Sequence, residues 1–147
     1  MNRFRNTITI SVPLPADDAM ALFTARGERR WVEGWNPEFP AGEPSEEGDG
    51  TVFVTTANGR STYWVVAVKD ADRVRYARTT PGFAAGIVEV RLRRSDARST
   101  QVDVTYDLSA LTRDGATELD DLAARYDEDI RAWEVAIEAA LGNDDAP

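Results

Sequence analysis

Apolar and polar residues alternate along residues 4–12. Ile8, Ile10 and Val12 fall on one side, and Thr7, Thr9 and Ser11 on the other. A period of two predicts a half-buried strand, and Pro13 and Pro15 end it. The period then changes. In "ADDAMALFTA", Ala19, Leu22 and Phe23 stand at i, i+3 and i+4, with Pro15 before them and Asp17 and Asp18 in the first turn. That predicts a short helix. Gly27 interrupts the pattern, and "ERRWVEGW" predicts a second short helix that stops before Pro37.

Residues 40–50, "PAGEPSEEGDG", predict a loop with room for a short edge strand. Period two returns after it, in five segments. "TVFVTTA" meets "RSTYWVVAVK" across Asn58-Gly59, a pair that tolerates the positive φ of a tight hairpin. "RVRYARTT", "AGIVEVRLRRS" and "STQVDVTYDLSAL" follow at hairpin spacing, with no helix between them. The sheet is therefore predicted to be antiparallel. From about Asp114 to Leu141 the period is helical. Leu119, Leu122, Tyr126, Ile130, Trp133 and Ile137 make one apolar stripe, opposite Asp120, Asp121, Asp127, Glu128, Arg131 and Glu138. Gly142 is the expected C-cap, with a frayed tail over 142–147.

The expected class is α+β. A curved antiparallel sheet of six or seven strands wraps a long C-terminal helix, with two short helices after the first strand. One sheet face and one helix stripe must bury each other. Curling the sheet around the helix does this and leaves room for a pocket beneath the short helices. The 147 residues suit one domain, 1–147.

Composition narrows the chemistry. The chain has no cysteine and no histidine. Disulfides, thiolate nucleophiles, a Ser-His-Asp triad and histidine-bearing zinc sites are excluded. The formal net charge of -9 argues against nucleic acid and against anionic membrane surfaces. The first residues alternate where a signal peptide would be continuously apolar, and no run of 18 apolar residues predicts a membrane span. A cytoplasmic protein is expected, without cofactor or metal, as a monomer or weak homodimer.

The order of elements, the segment "LFTARGERRWVEGWNPEF", and "GTVFVTT", "YARTTPG" and "YDEDIRAWEVAI" resemble the START/Bet v 1-like superfamily. Within it, the nearest group is the bacterial polyketide cyclase/dehydrase and lipid-transport proteins (SRPBCC). The resemblance implies a helix-grip fold with a deep hydrophobic cavity. It also implies a small hydrophobic ligand of lipid, polyketide or aromatic type. Some members of such families catalyse cyclisation or dehydration. The tryptophan segment also resembles the Hsp90-activator-like (AHSA1-type) branch, in which the fold serves protein partners.

Alternation names the cavity lining. Trp64, Tyr76, Arg78, Val88, Val90 and Tyr106 fall on the inner strand faces. Phe53 joins them if it and Thr55 point inward; the other phase would turn Val52, Val54 and Thr56 inward. Tyr126, Ile130 and Trp133 come from the long helix, and Trp31 and Trp35 from the segment above. Arg78 is the unusual member. Either it holds a ligand anion in the cavity, or it sits at the strand end, snorkels out and pairs with a surface acid such as Glu38 or Glu43. A bulge reversing its phase is the third option. Each Tyr and Trp is either core with a paired polar tip or a contact for ligand. Glu33, Glu38, Asp127 and Glu134 are the carboxylates nearest the expected mouth, and no spacing selects a catalytic pair among them. No catalytic residue is assigned.

Overall fold

The computed structural model describes residues 1–144, with side chains through Gly142. Strand β1 (Arg3–Val12) leads into helices α1 (Ala16–Ala21) and α2 (Ala25–Glu28). Five strands follow: β2 (Val52–Ala57), β3 (Arg60–Lys69), β4 (Arg73–Thr80), β5 (Ala84–Ser95) and β6 (Thr100–Ala110). Helix α3 (Arg113–Asp144) closes the order.

The six strands make one sheet in the order β1-β6-β5-β4-β3-β2, and every neighbouring pair is antiparallel. Asn58 and Gly59 have φ of 54° and 75° and close the β2–β3 hairpin as the sequence predicts. Inner positions alternate as expected. Val74 and Tyr76 on β4, Val88 and Val90 on β5, and Val102 and Val104 on β6 are all buried. The ambiguous strand resolves with Phe53 inward and Val52 outward. Register shifts occur between Val66 and Val68 and between Leu92 and Arg94. Neither touches the phase of Arg78, so the bulge option for that residue falls away.

Helix α3 lays Leu119, Tyr126, Ile130 and Ile137 into the core. Thr112 fixes its start: the hydroxyl accepts from the Gly115 N–H (3.0 Å) and donates to the Gly82 carbonyl (2.5 Å). A Cβ on Gly115 would lie 1.8 Å from the Phe83 carbonyl oxygen, so only glycine lets α3 approach the β4–β5 turn this closely. The helix runs through Gly142 to Asp144 rather than capping at the glycine. Of the tail expected to fray, residues 145–147 lie outside the described residues.

Two other boundaries differ from expectation. The second helix is Ala25–Glu28, and "ERRWVEGW" continues past it as turns. The cause is Thr24, whose side chain caps the helix by accepting from Gly27 N–H (2.9 Å). Gly27 lies inside the helix, where the Ala21 carbonyl oxygen occupies the space a Cβ would need. Residues 40–50 contain no strand; the edge contact is a single bridge between Glu38 and Val54. That loop instead supplies Glu47. Its buried carboxylate accepts from the N–H groups of Ala25 (2.9 Å) and Arg26 (3.1 Å) at the start of α2.

Candidate ligand-binding cavity

Between the inner face of β3–β6, the α2 segment and α3 lies a cavity of about 230 Å³. Eight of the residues predicted to line it do so: Trp35, Trp64, Tyr76, Arg78, Val88, Val90, Tyr106 and Trp133. Phe23, Glu28 and Val32 complete the wall.

The other four predicted residues lie behind the wall. Trp31 is buried, donates its indole N–H to the Leu22 carbonyl (2.8 Å) and packs edge-on against Phe23 and Trp133. Phe53 is fully buried and stacks on Trp64, with ring centroids 5.6 Å apart. Tyr126 donates to the Val104 carbonyl (2.8 Å), and Ile130 is buried on the same helix. Of the tryptophan pair, then, Trp31 is core and Trp35 is wall. Trp35 is held by its indole N–H on the Ala25 carbonyl (2.7 Å), so its ring cannot swing freely.

Some of the polar tips in the wall are already satisfied. Tyr76 donates to the Phe23 carbonyl (2.7 Å), and Trp64 to the Thr55 hydroxyl (3.0 Å). Three groups differ. Arg78 points inward as alternation requires. Among the described residues its Nε is buried without a hydrogen-bond partner, and its only hydrogen bond is a long one to the Thr80 hydroxyl (3.3 Å). The guanidinium carbon stands 4.9 Å from the centre of the Trp64 ring. No carboxylate among the described residues pairs with it. The snorkelling alternative is therefore corrected: Glu43 pairs with Arg29 (2.5 Å), and Glu38 takes its place at the sheet edge. Burial lowers the Arg78 pKa, with Tyr106 opposing, while a guanidinium keeps its charge.

Glu28 is the second group. Burial pushes its carboxyl well above the usual carboxylate range, and the nearby Glu47 carboxylate adds to the effect. The side chain faces the cavity without a protein partner among the described residues. Tyr106 is the third. Burial raises its pKa to about 12 although Arg78 pulls the other way, so its phenol stays protonated.

Glu28 was not among the carboxylates weighed from the sequence. Glu33, Glu38 and Asp127 are exposed, and Glu134 reaches only the Ser11 N–H (3.4 Å). Glu28 ends α2, and Val32 and Trp35 follow in the turns beyond it, yet all three enter the cavity together. Helical spacing in the sequence does not announce that arrangement.

A second cavity of about 330 Å³ lies toward the start of α3, bounded by Arg60, Phe83, Glu118, Leu122 and Arg125 among others. It shares Arg78 and Tyr106 with the first, so these two side chains stand between the chambers. Arg60 pairs with Glu118 and stacks on Phe83 (3.6 Å to the ring centre), and Arg125 pairs with Asp129 (3.1 Å).

A curved antiparallel sheet gripping a long terminal helix, with a cavity between them, is a helix-grip fold. Solved structures bear this out. The chain is similar to the Zhui aromatase/cyclase from a Streptomyces species, at 19% identity and a TM-score of 0.64 over 94% of this chain and 93% of that one. A Rhizobium loti protein gives 21% identity and a TM-score of 0.62 over 94% and 96%. The Aha1 dimer from Colwellia psychrerythraea gives 16% and 0.60 over 94% and 96%. No family model and no curated protein matches the chain. No helix among the described residues is long and apolar enough to cross a membrane.

Proposed function

We propose that this protein binds a small hydrophobic molecule in the cavity between sheet and α3. The observation that carries the reading is the wall itself. Trp35, Trp64, Trp133, Val88 and Val90 present apolar surface, while a few polar groups without protein partners converge on the same space. Apolar walls with few, placed polar groups are the usual make-up of a small-molecule site. The fold similarity to an aromatase/cyclase supports the same class of ligand.

The test uses N-phenyl-1-naphthylamine, a neutral dye that brightens in apolar surroundings. It should bind the purified protein, and Val88→Trp, which fills the cavity from its floor, should abolish binding while leaving the circular dichroism unchanged. Binding that survives the filled cavity places the dye elsewhere and removes the reading.

A second reading, proton-transfer catalysis of the cyclase or dehydratase kind, is favoured by Glu28. A neutral carboxyl facing the same space as a guanidinium can donate a proton to a carbonyl that the guanidinium polarises. An interaction module would use a different surface. Val52, Tyr63 and Val65, 40%, 48% and 39% exposed, lie together on the outer face of β2–β3.

A further inference from the structure

We infer that the ligand of this cavity is an amphiphilic monoanion whose acidic group, a carboxylate or similar planar oxyanion, seats on Arg78 at the junction of the two chambers. The inference rests on the binding reading above and adds the charge and polarity of the ligand to it.

Arg78 brings one positive charge into the space between sheet and α3, and no acid among the described residues answers it. Its Nε donor is buried and unused. An isolated charge in such surroundings is costly, and proteins retain one where something supplies the counter-charge. The nearer protein groups do not supply it. Tyr76 and Tyr106 are neutral phenols. Glu28, the one carboxyl in the inner wall, makes no ion pair with Arg78, and burial and Glu47 raise its pKa. At the outer chamber Arg60 pairs with Glu118, and Arg125 with Asp129 beyond the wall. Arg78 is therefore the lining cation with no opposite partner among the described residues, and a ligand with one negative charge supplies it.

Geometry places the ends of such a molecule. The Arg78 guanidinium is bracketed by the Trp64 ring on one side and the Tyr106 phenol in the shared wall. A planar oxyanion there takes the terminal N–H groups of the guanidinium together, a paired geometry that guanidinium favours. The apolar body then lies in the inner chamber among Trp35, Trp64 and Trp133. Glu28, when protonated, can donate to an oxygen on that body. A dianion would leave one charge unanswered, and an amine would add to the one already present.

The experiment compares 2-naphthoate with 2-naphthamide, which share shape and ring system and differ in charge. Affinities are read by quenching of tryptophan fluorescence and by calorimetry. The wild-type protein should hold naphthoate at least about tenfold more tightly than naphthamide, the value of a charge-assisted hydrogen bond in a buried site. The preference should persist in molar salt, because a buried pair is screened little, whereas surface arginines would lose it. Arg78→Met should erase the preference. Equal affinities in the wild type, or a preference for the amide, overturn the inference and leave the binding reading standing. A naphthoate preference that survives Arg78→Met or vanishes in salt likewise overturns it. If neither compound binds, the inference fails, and the binding reading fails with it when the neutral dye is also refused. The wild-type comparison requires no folded variant.

Discussion

Replacing Arg78 with methionine should make the ligand-free protein more stable. Methionine is close to arginine in length and fills the same wall without a polar atom, so it opens no large void. The gain comes from removing a buried donor that has no partner, a group whose burial costs about 1–3 kcal/mol. Two contacts are lost. The guanidinium 4.9 Å from the Trp64 ring centre is worth about 0.5–1 kcal/mol. The 3.3 Å hydrogen bond to Thr80 is long and contributes little. The balance favours the variant by roughly 1 kcal/mol, or a rise in Tm of about 2–4 °C for a chain of this size. Urea unfolding of protein refolded from denaturant, and so freed of any copurified ligand, measures it through tryptophan fluorescence. A variant less stable than the wild type by 1 kcal/mol or more would refute the reasoning; a broken buried ion pair would cost about 3–5 kcal/mol. It would mean that Arg78 holds the fold together and does not wait for a ligand.

Two further outcomes are expected. Glu28 keeps its proton in the folded state to a higher pH than in the unfolded chain, so the native state binds more protons and stability falls as pH rises above the ordinary value of 4.5. Glu28→Gln has no proton to lose, so it should be more stable than the wild type at pH 7, and the gap should close as pH falls toward 4.5; parallel pH–stability curves for the two proteins would rule out a buried neutral acid. Gly115→Ala forces a Cβ to within 1.8 Å of the Phe83 carbonyl oxygen, which is main chain and cannot rotate away. It should destabilise by more than about 2 kcal/mol in thermal unfolding, and a loss under 0.5 kcal/mol would show that α3 does not seat against the β4–β5 turn as described.

The sheet was legible because one face is buried throughout. Each inner position from Val74 to Leu108 follows from a period of two that a slipped register would have inverted. Arg78 was found the same way, as the one charge in phase with Val74 and Tyr76; what alternation could not supply was the absence of a counter-charge, which depends on where Glu38 and Glu43 are held. The α2 region was misread by local signals. Gly27 looks like a break in one dimension, yet it is required inside the helix by the Ala21 carbonyl lying against it. The turns that follow α2, which no helical period describes, bring Glu28, Val32 and Trp35 to the cavity together and with them its carboxyl. Trp31, Phe53, Tyr126 and Ile130 were placed on the correct faces. Depth, as opposed to facing, is set by neighbours from distant segments, such as Trp133 over Trp31 and Trp64 over Phe53.

The pairing of β1 with β6 sets the order in which the molecule can assemble. Arg3 meets Ser109 and Val12 meets Thr100, so the first strand made has no neighbour until the sixth has been synthesised. Contacts so distant along the chain carry a large loop-closure cost and make folding slow. Helix α3 follows β6, and both chambers draw a wall from it. A nascent chain thus carries a sheet with its apolar face uncovered, and the pocket forms only in the last step. The cavity is either complete or absent, and a chain stalled before α3 is exposed to aggregation along the same inner face that later lines the cavity.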